Sequence, residues 1–319
     1  MKEHHQIRSG ELAGHAAQIL SVFVWSTGLI IQKYAAGMSN VGTVLALQFV
    51  PAAILAWIGL LMARSVPRLS WKLLPIVIWG SIAPGLVLVL SVAGAVRSDG
   101  LTVAVMWGLV PICGPLLARL FLKETLHWSI PIAGCFSFAA LLFVTLSKTA
   151  TRSEETTLVG FGMILSAVIL SSSTHIFGRR FNTGGLKWYQ VACLQMTGAA
   201  LTGMVAAAMS GWNPPDPDNA VGIAAILYLS LVMTLANFSL YNFALSRITA
   251  IWTAFYLSLG PAVGTVAAAL ILGTVIRTID AIAVAAMIIS TLSPMILRYR
   301  STHRRVKSKS NQPLGDCDA

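Results

Sequence analysis

Ten apolar runs, separated by short polar breaks, organise the chain: 12–32, 43–63, 73–96, 100–118, 129–147, 158–178, 188–209, 221–245, 250–272 and 279–297. Each is close to the ~20 residues that cross ~30 Å of hydrocarbon at ~1.5 Å per residue. The first nine contain no Asp, Glu, Lys or Arg, and the tenth has only Asp280, at its start. A charge at a helix centre costs about 2.5–3.5 kcal/mol on insertion, so this pattern predicts membrane spans. Barrel strands alternate polar and apolar over ~10 residues. These runs are longer and apolar throughout, which predicts helices. The expected fold is all-α integral membrane, with ten transmembrane helices.

Composition strengthens this picture. Only 10% of residues are charged, 56% are hydrophobic, and the mean hydropathy is +0.77. Soluble domains carry about 25% charged residues, so this chain could not coat a water-facing surface of its own. The net charge of +11 could suggest nucleic acid, but its distribution assigns it to topology. With ten spans and the N-terminus inside, one face holds 17 basic residues and the other 5: Lys33, Arg97, Lys148, Arg152 and Arg277. The positive-inside rule then places both termini in the cytoplasm, with no role for nucleic acid; the expected location is the plasma (inner) membrane. The basic tail from Arg298 to Lys309 is suited to anionic lipid. Cys113, Cys135, Cys193 and Cys317 suggest neither a disulfide nor a metal site. The first run exceeds a signal-peptide core of 7–15 residues and is expected to be a retained helix. The breaks between runs leave no room for a soluble domain.

The chain also repeats itself. At an offset of 150, Pro111 matches Pro261, Gly114 matches Gly264, Leu120 matches Leu270, Leu122 matches Leu272 and Arg97 matches Arg247. At an offset of 146, Gly14 matches Gly160, Ser26 matches Ser172 and Lys33 matches Arg179. The organisation read from this is a first five-helix repeat at 1–147, a linker at 148–157, a second repeat at 158–297 and a tail at 298–319. Five is odd, so the second repeat enters the bilayer from the opposite side. Two inverted repeats are a recurring plan of secondary transporters, with substrate bound near the midplane between them.

Val24-Trp25-Ser26 in the first run, Pro111 through Leu122-Lys123-Glu124 in the fourth, Gly134 in the next, and Pro261, Leu270 and Leu272 in the second half carry a family resemblance. The chain resembles the EamA-type repeats of the drug/metabolite transporter superfamily across nearly its whole length. That resemblance implies a ten-helix carrier, often an exporter of amino acids, other metabolites or toxic compounds. Two positions depart from the pattern. Gly273-Thr274 stands where the second repeat usually has a Glu, and Gln48 where such repeats often carry an Arg.

Polar residues in lipid tend to face the bundle interior or a cavity. Gln18, Ser21, Trp25, Gly28 and Gln32 share one face of the first run, and Ser230, Thr234, Asn237 and Tyr241 one face of the eighth. Both faces suit a hydrated cavity and equally suit hydrogen bonding between helices. Trp107, Pro111 and Gly114 share a face of the fourth run, where the proline frees a carbonyl and shapes a pocket. Tyr256 and Pro261 are the approximate counterpart. The substrate-binding set expected is therefore Gln18, Ser21, Trp25, Trp107, Pro111, Thr234, Asn237, Tyr241 and Tyr256. His175, three residues from the end of its run, is expected to reach water, and Trp252 to anchor at the interface. His15 lies at the edge of the first run. Glu124, beside Lys123, is expected in salt bridging or loop anchoring.

Enzyme motifs such as HExxH, GxSxG and a Walker loop are absent, so no catalytic residue, cofactor or metal is expected. The function expected is a secondary transporter, exporter or facilitator, of a small neutral or zwitterionic metabolite or an apolar toxic compound. Its partners are the solute and membrane lipid, with a homodimer left open. A membrane enzyme acting on lipid and a non-transporting sensor are the alternatives; the first would need an acid/base pair in the bilayer.

Overall fold

The computed structural model describes residues 2–95, 97–98, 100–149, 156–272 and 275–310. The central part of the linker, Gly273-Thr274 and Cys317 lie outside the described residues. The described chain is helical, with no strand. Eight helical stretches are long and apolar enough to cross a membrane, and two shorter apolar helices, Ser129–Phe143 and Thr278–Pro294, complete the set. Large apolar side chains such as Leu120, Phe121, Phe136 and Leu270 point outward, as a lipid-facing surface requires.

Each half uses the same sequence of elements. The first has α1 (Lys2–Met38), α2 (Val41–Met62), α3 (Leu74–Gly80), α4 (Val87–Ala95), α5 (Gly100–Gly108), α6 (Val110–Leu122) and α7 (Ser129–Thr149). The second has α8 (Leu158–Asn182), α9 (Trp188–Ser210), α10 (Ala220–Leu227), α11 (Asn237–Arg247), α12 (Ala250–Phe255), α13 (Gly260–Leu272) and α14 (Thr278–Ser310). Local chemistry starts several of them. Asn40, Thr157 and Asn219 each accept a backbone N–H at the first turn of α2, α8 and α10. The ends differ most from the apolar runs at two places. α1 continues to Met38, and α14 carries the basic segment on as helix to Ser310. Polar ends add little to hydropathy but keep their helical hydrogen bonds in water.

Four of the apolar stretches are discontinuous, two in each half and at corresponding places. A π-helical turn at Ser81–Leu86 separates α3 from α4, and another at Tyr228–Ala236 separates α10 from α11. α5 ends at Gly108, and α6 restarts with Pro111 in its first turn. A 3-10 turn at Tyr256–Leu259 separates α12 from α13, which opens on Gly260-Pro261. Proline lacks the N–H that a continuous helix needs, and the first turn of a new helix is where that loss costs least.

The halves interlock rather than sit side by side. α2 lies along α9, α7 along α14 and α6 against α12. α1 packs on α11 as α8 packs on α4, and α1 on α13 as α8 on α6. Exchanging the halves maps these contacts onto one another, except that of α6 with α12, whose counterpart, α5 with α13, is not among the main contacts. Lys123 closes α6 in the left-handed region at φ 54°, a cost that non-glycine residues accept for a sharp exit. That exit carries Glu124 to the start of α12. Its carboxylate oxygens accept the N–H of Ala250 and of Ile251, each at 3.0 Å. The loop-anchoring role is thus a bond between the two halves.

Candidate functional site

A cavity of about 430 Å³ lies between the halves. Gln18, Ser21 and Trp25 of α1, Trp107 of α5, Pro111 of α6, and Asn237 and Tyr241 of α11 line it. So do Phe138 of α7, Ser171, Thr174 and His175 of α8, Phe238, and Leu257, Ser258 and Pro261 around the start of α13. All four discontinuous stretches contribute near their breaks, through Pro84, Trp107 and Pro111 in the first half and Asn237, Leu257, Ser258 and Pro261 in the second. The walls are largely aromatic and aliphatic, with a few small polar groups, the usual character of a small-molecule pocket.

Two of the expected site residues do not line the cavity. Thr234 is fully buried, accepts a hydrogen bond from Gln48 Nε2 at 3.1 Å and donates to Leu229 O at 2.9 Å. The π-helical turn inserts an extra residue before α11. It rotates Ser230 and Thr234 off the face that carries Asn237 and Tyr241, and straight-helix periodicity cannot register that shift. Tyr256 is fully buried beyond the cavity, its hydroxyl 2.9 Å from His15 Nδ1. The 3-10 turn gives the wall to Leu257 and Ser258 instead. The polar stripe of α1 divides as well. Gln18, Ser21 and Trp25 line the cavity, whereas Gln32 donates to Gln48 Oε1 at 3.1 Å. Gln32, Gln48 and Thr234 therefore form a buried chain of side chains between three helical stretches. Asn182, Asn242 and Gln195 form another, at 2.7 and 2.9 Å. These groups hold helices together, since a buried amide without a partner is costly.

One end of the cavity is closed in layers. In the first, Gln18 Nε2 donates to Thr253 O at 3.1 Å, and His175 Nδ1 lies 3.2 Å from both Thr253 Oγ1 and Tyr241 OH. His175 is only 3% exposed, contrary to its expected place near water. α8 runs to Asn182 rather than ending at 178, so the ring lies seven residues from the helix end, about 10 Å at ~1.5 Å per residue. A lone histidine inside an apolar run was the available signal for it. Beyond this layer, His15 packs edge-on against Trp252 and Tyr256, with Glu11 3.8 Å from its Nε2. Trp252 is 5% exposed, which removes it from the interface role its position near a run end suggested. It packs on Phe255 and Tyr256 instead. Glu124 closes the last layer on α12. Among the described residues, no group of three or more His, Cys, Asp or Glu gathers as a metal site would require.

No curated protein matches this sequence. A crystal structure of another protein shares the fold, with a TM-score of 0.76 at 18% identity over 92% of this chain and 98% of that one. The EamA-like transporter family model matches twice, at residues 12–146 and 158–293. These are the two halves that interlock around the cavity, and the chain belongs to the EamA-like transporter family.

Proposed function

We propose that this protein is a secondary carrier that moves a small neutral, zwitterionic or apolar solute by alternating access. Ten spans, arranged as two inverted five-helix repeats with both termini in the cytoplasm, would form it in the plasma (inner) membrane. The observation that carries this reading is the cavity. It lies between two interlocked repeats, is walled by both, and is closed at one end by side chains that belong to both. Exchange of roles between two such repeats would open the other end. The solute class follows from the lining, which among the described residues contains no Asp, Glu, Lys or Arg. A net ion would lose its hydration there without gaining a countercharge.

Flux of labelled amino acids and common toxicants into liposomes holding the purified protein tests the carrier reading. Saturable flux absent from empty liposomes is expected, and its absence for every compound would count against transport. Trp107→Ala and Pro111→Ala are each expected to cut that flux at least tenfold while the protein still reaches the membrane. Trp107 supplies a large wall surface, and Pro111 sets the restart of α6. Normal flux in both variants would remove the cavity from the transport path.

A further inference from the structure

We propose that His175 is the hydrogen-bond acceptor with which the cavity reads its solute, and that the solute is an uncharged amphiphile whose polar end carries an N–H or O–H donor. This rests on the carrier reading above and adds to it a residue and a chemical class.

Among the described residues, His175 is the one Asp, Glu, Lys, Arg or His that lines the cavity. Its two ring nitrogens have different surroundings. Nδ1 faces Thr253 Oγ1 and Tyr241 OH, each at 3.2 Å. The Thr253 hydroxyl hydrogen is already donated to Ala250 O at 3.0 Å. Toward the ring, Thr253 therefore offers only lone pairs. Tyr241 O–H could donate to a bare Nδ1, but the Thr253 lone pairs would then face that nitrogen's own at 3.2 Å, whereas an Nδ1–H points at both oxygens and leaves the Tyr241 hydrogen to the cavity that Tyr241 lines. The proton belongs on Nδ1, which leaves Nε2 as an acceptor. Among the described residues no side chain or backbone group bonds Nε2.

The ring is also held in place. It stands edge-on to Tyr241 with centroids 5.7 Å apart. Its Cδ2 edge lies over Gly114, where an added Cβ would sit 3.8 Å away. Protonation of Nε2 would put a cation in a wall that has no carboxylate among the described residues. The nearby acid, Glu124, is bonded to the N–H groups of Ala250 and Ile251, and Arg179, one turn along α8, bonds Leu245 O. The apolar body of the solute has Trp25, Trp107, Phe138 and Phe238 to pack on. Its donor then meets Nε2.

Indole and 1-methylindole test this, because they share an aromatic body and differ in one N–H. Scintillation-proximity binding of tritiated indole to the protein in nanodiscs is measured, with unlabelled 1-methylindole as competitor. Indole is expected to bind about tenfold more tightly, the cost of leaving a buried acceptor unfilled. That preference is expected to hold from about pH 8 to about pH 5, across the usual range of histidine titration. His175→Phe is expected to abolish the preference by weakening indole alone, and His175→Gln, which keeps an acceptor, to restore part of it. Equal affinities in the wild-type protein, or indole binding that fades on acidification, would overturn the assignment while leaving a binding cavity. Saturable binding of neither compound would also overturn the assignment, while the carrier reading then stands or falls on the liposome flux. The wild-type comparison stands even where a variant fails to fold.

Discussion

Gly198→Val is expected to leave no properly folded protein. Gly198 lies where α9 crosses the junction of α3 and the π-helical turn that follows it. A Cβ added there would sit 1.9 Å from Val77 O and 2.5 Å from Ser81 N. Both are backbone atoms, so no flexible side chain can swing aside. The approach is reciprocal, since a Cβ on Gly80 would lie 2.2 Å from Gln195 O. Hydrogen bonds fix the contact. Ser81 Oγ donates to Gly198 O at 2.9 Å, and Thr202 Oγ1 donates to Ser81 O at 2.8 Å. In lipid, where no hydrophobic effect drives helices together, close backbone approach of this kind supplies much of the association. Overpacking a core costs about 1–3 kcal/mol when neighbours can shift. Here they cannot, and a loss above about 4–5 kcal/mol is expected. Size-exclusion chromatography of detergent-extracted protein measures it. Gly162→Val is the control, because nothing lies within 4 Å of a Cβ there. Gly198→Val with a wild-type profile and thermal stability would show that the two helices do not meet as described.

The second large effect is expected at Glu124. The first N–H groups of a helix have no acceptor within it, and a carboxylate both fills them and complements the helix dipole. Glu124 does this for α12 from the other half of the molecule. Hydrogen bonds to a charged group contribute about 1.5–3 kcal/mol each, so Glu124→Ala should weaken this junction by about 3–6 kcal/mol. Hydrogen–deuterium exchange is the readout. Exchange at Ala250 and Ile251 must rise once their acceptor is gone. The informative amides are those from Trp252 to Leu259, which Glu124 does not touch. They are expected to exchange at least tenfold faster, because the layers that close the cavity rest on this segment. Acceleration confined to the two bonded amides would reduce Glu124 to a local cap. At an offset of 150 the second half has Thr274 in place of Glu124. Only one of the two corresponding ends therefore has a carboxylate at this position.

Much of the membrane architecture could be read in one dimension. Excluding charge from stretches of about 20 residues is a requirement of hydrocarbon, and it acts on each segment without reference to its neighbours. The Pro111/Pro261 and Gly114/Gly264 correspondence identified two halves, because a duplicated helix break needs the same residue types twice. Gln18, Ser21, Trp25, Trp107, Pro111, Asn237 and Tyr241 were placed on inward faces by periodicity, and all seven line the cavity.

The same periodicity misplaced Thr234, and the approximate correspondence between the halves misplaced Tyr256, each in a turn whose residue count departs from 3.6. No composition signal marks Tyr228–Ala236 as π-helical; packing against α2 accompanies that turn, and Gln48 donates a hydrogen bond to the Thr234 hydroxyl that the turn redirects. His175 and Trp252 looked peripheral by their distance from a run end. Both are buried because α8 outlasts its apolar run and α12 is covered by α6 and α1. The sequence alone thus determined solvent, segment length and duplication, which are properties of each stretch by itself. Which polar group faces a helix and which faces the cavity was decided only by the tertiary structure, since a single wide or tight turn rotates everything beyond it and a partner on another helix holds the result.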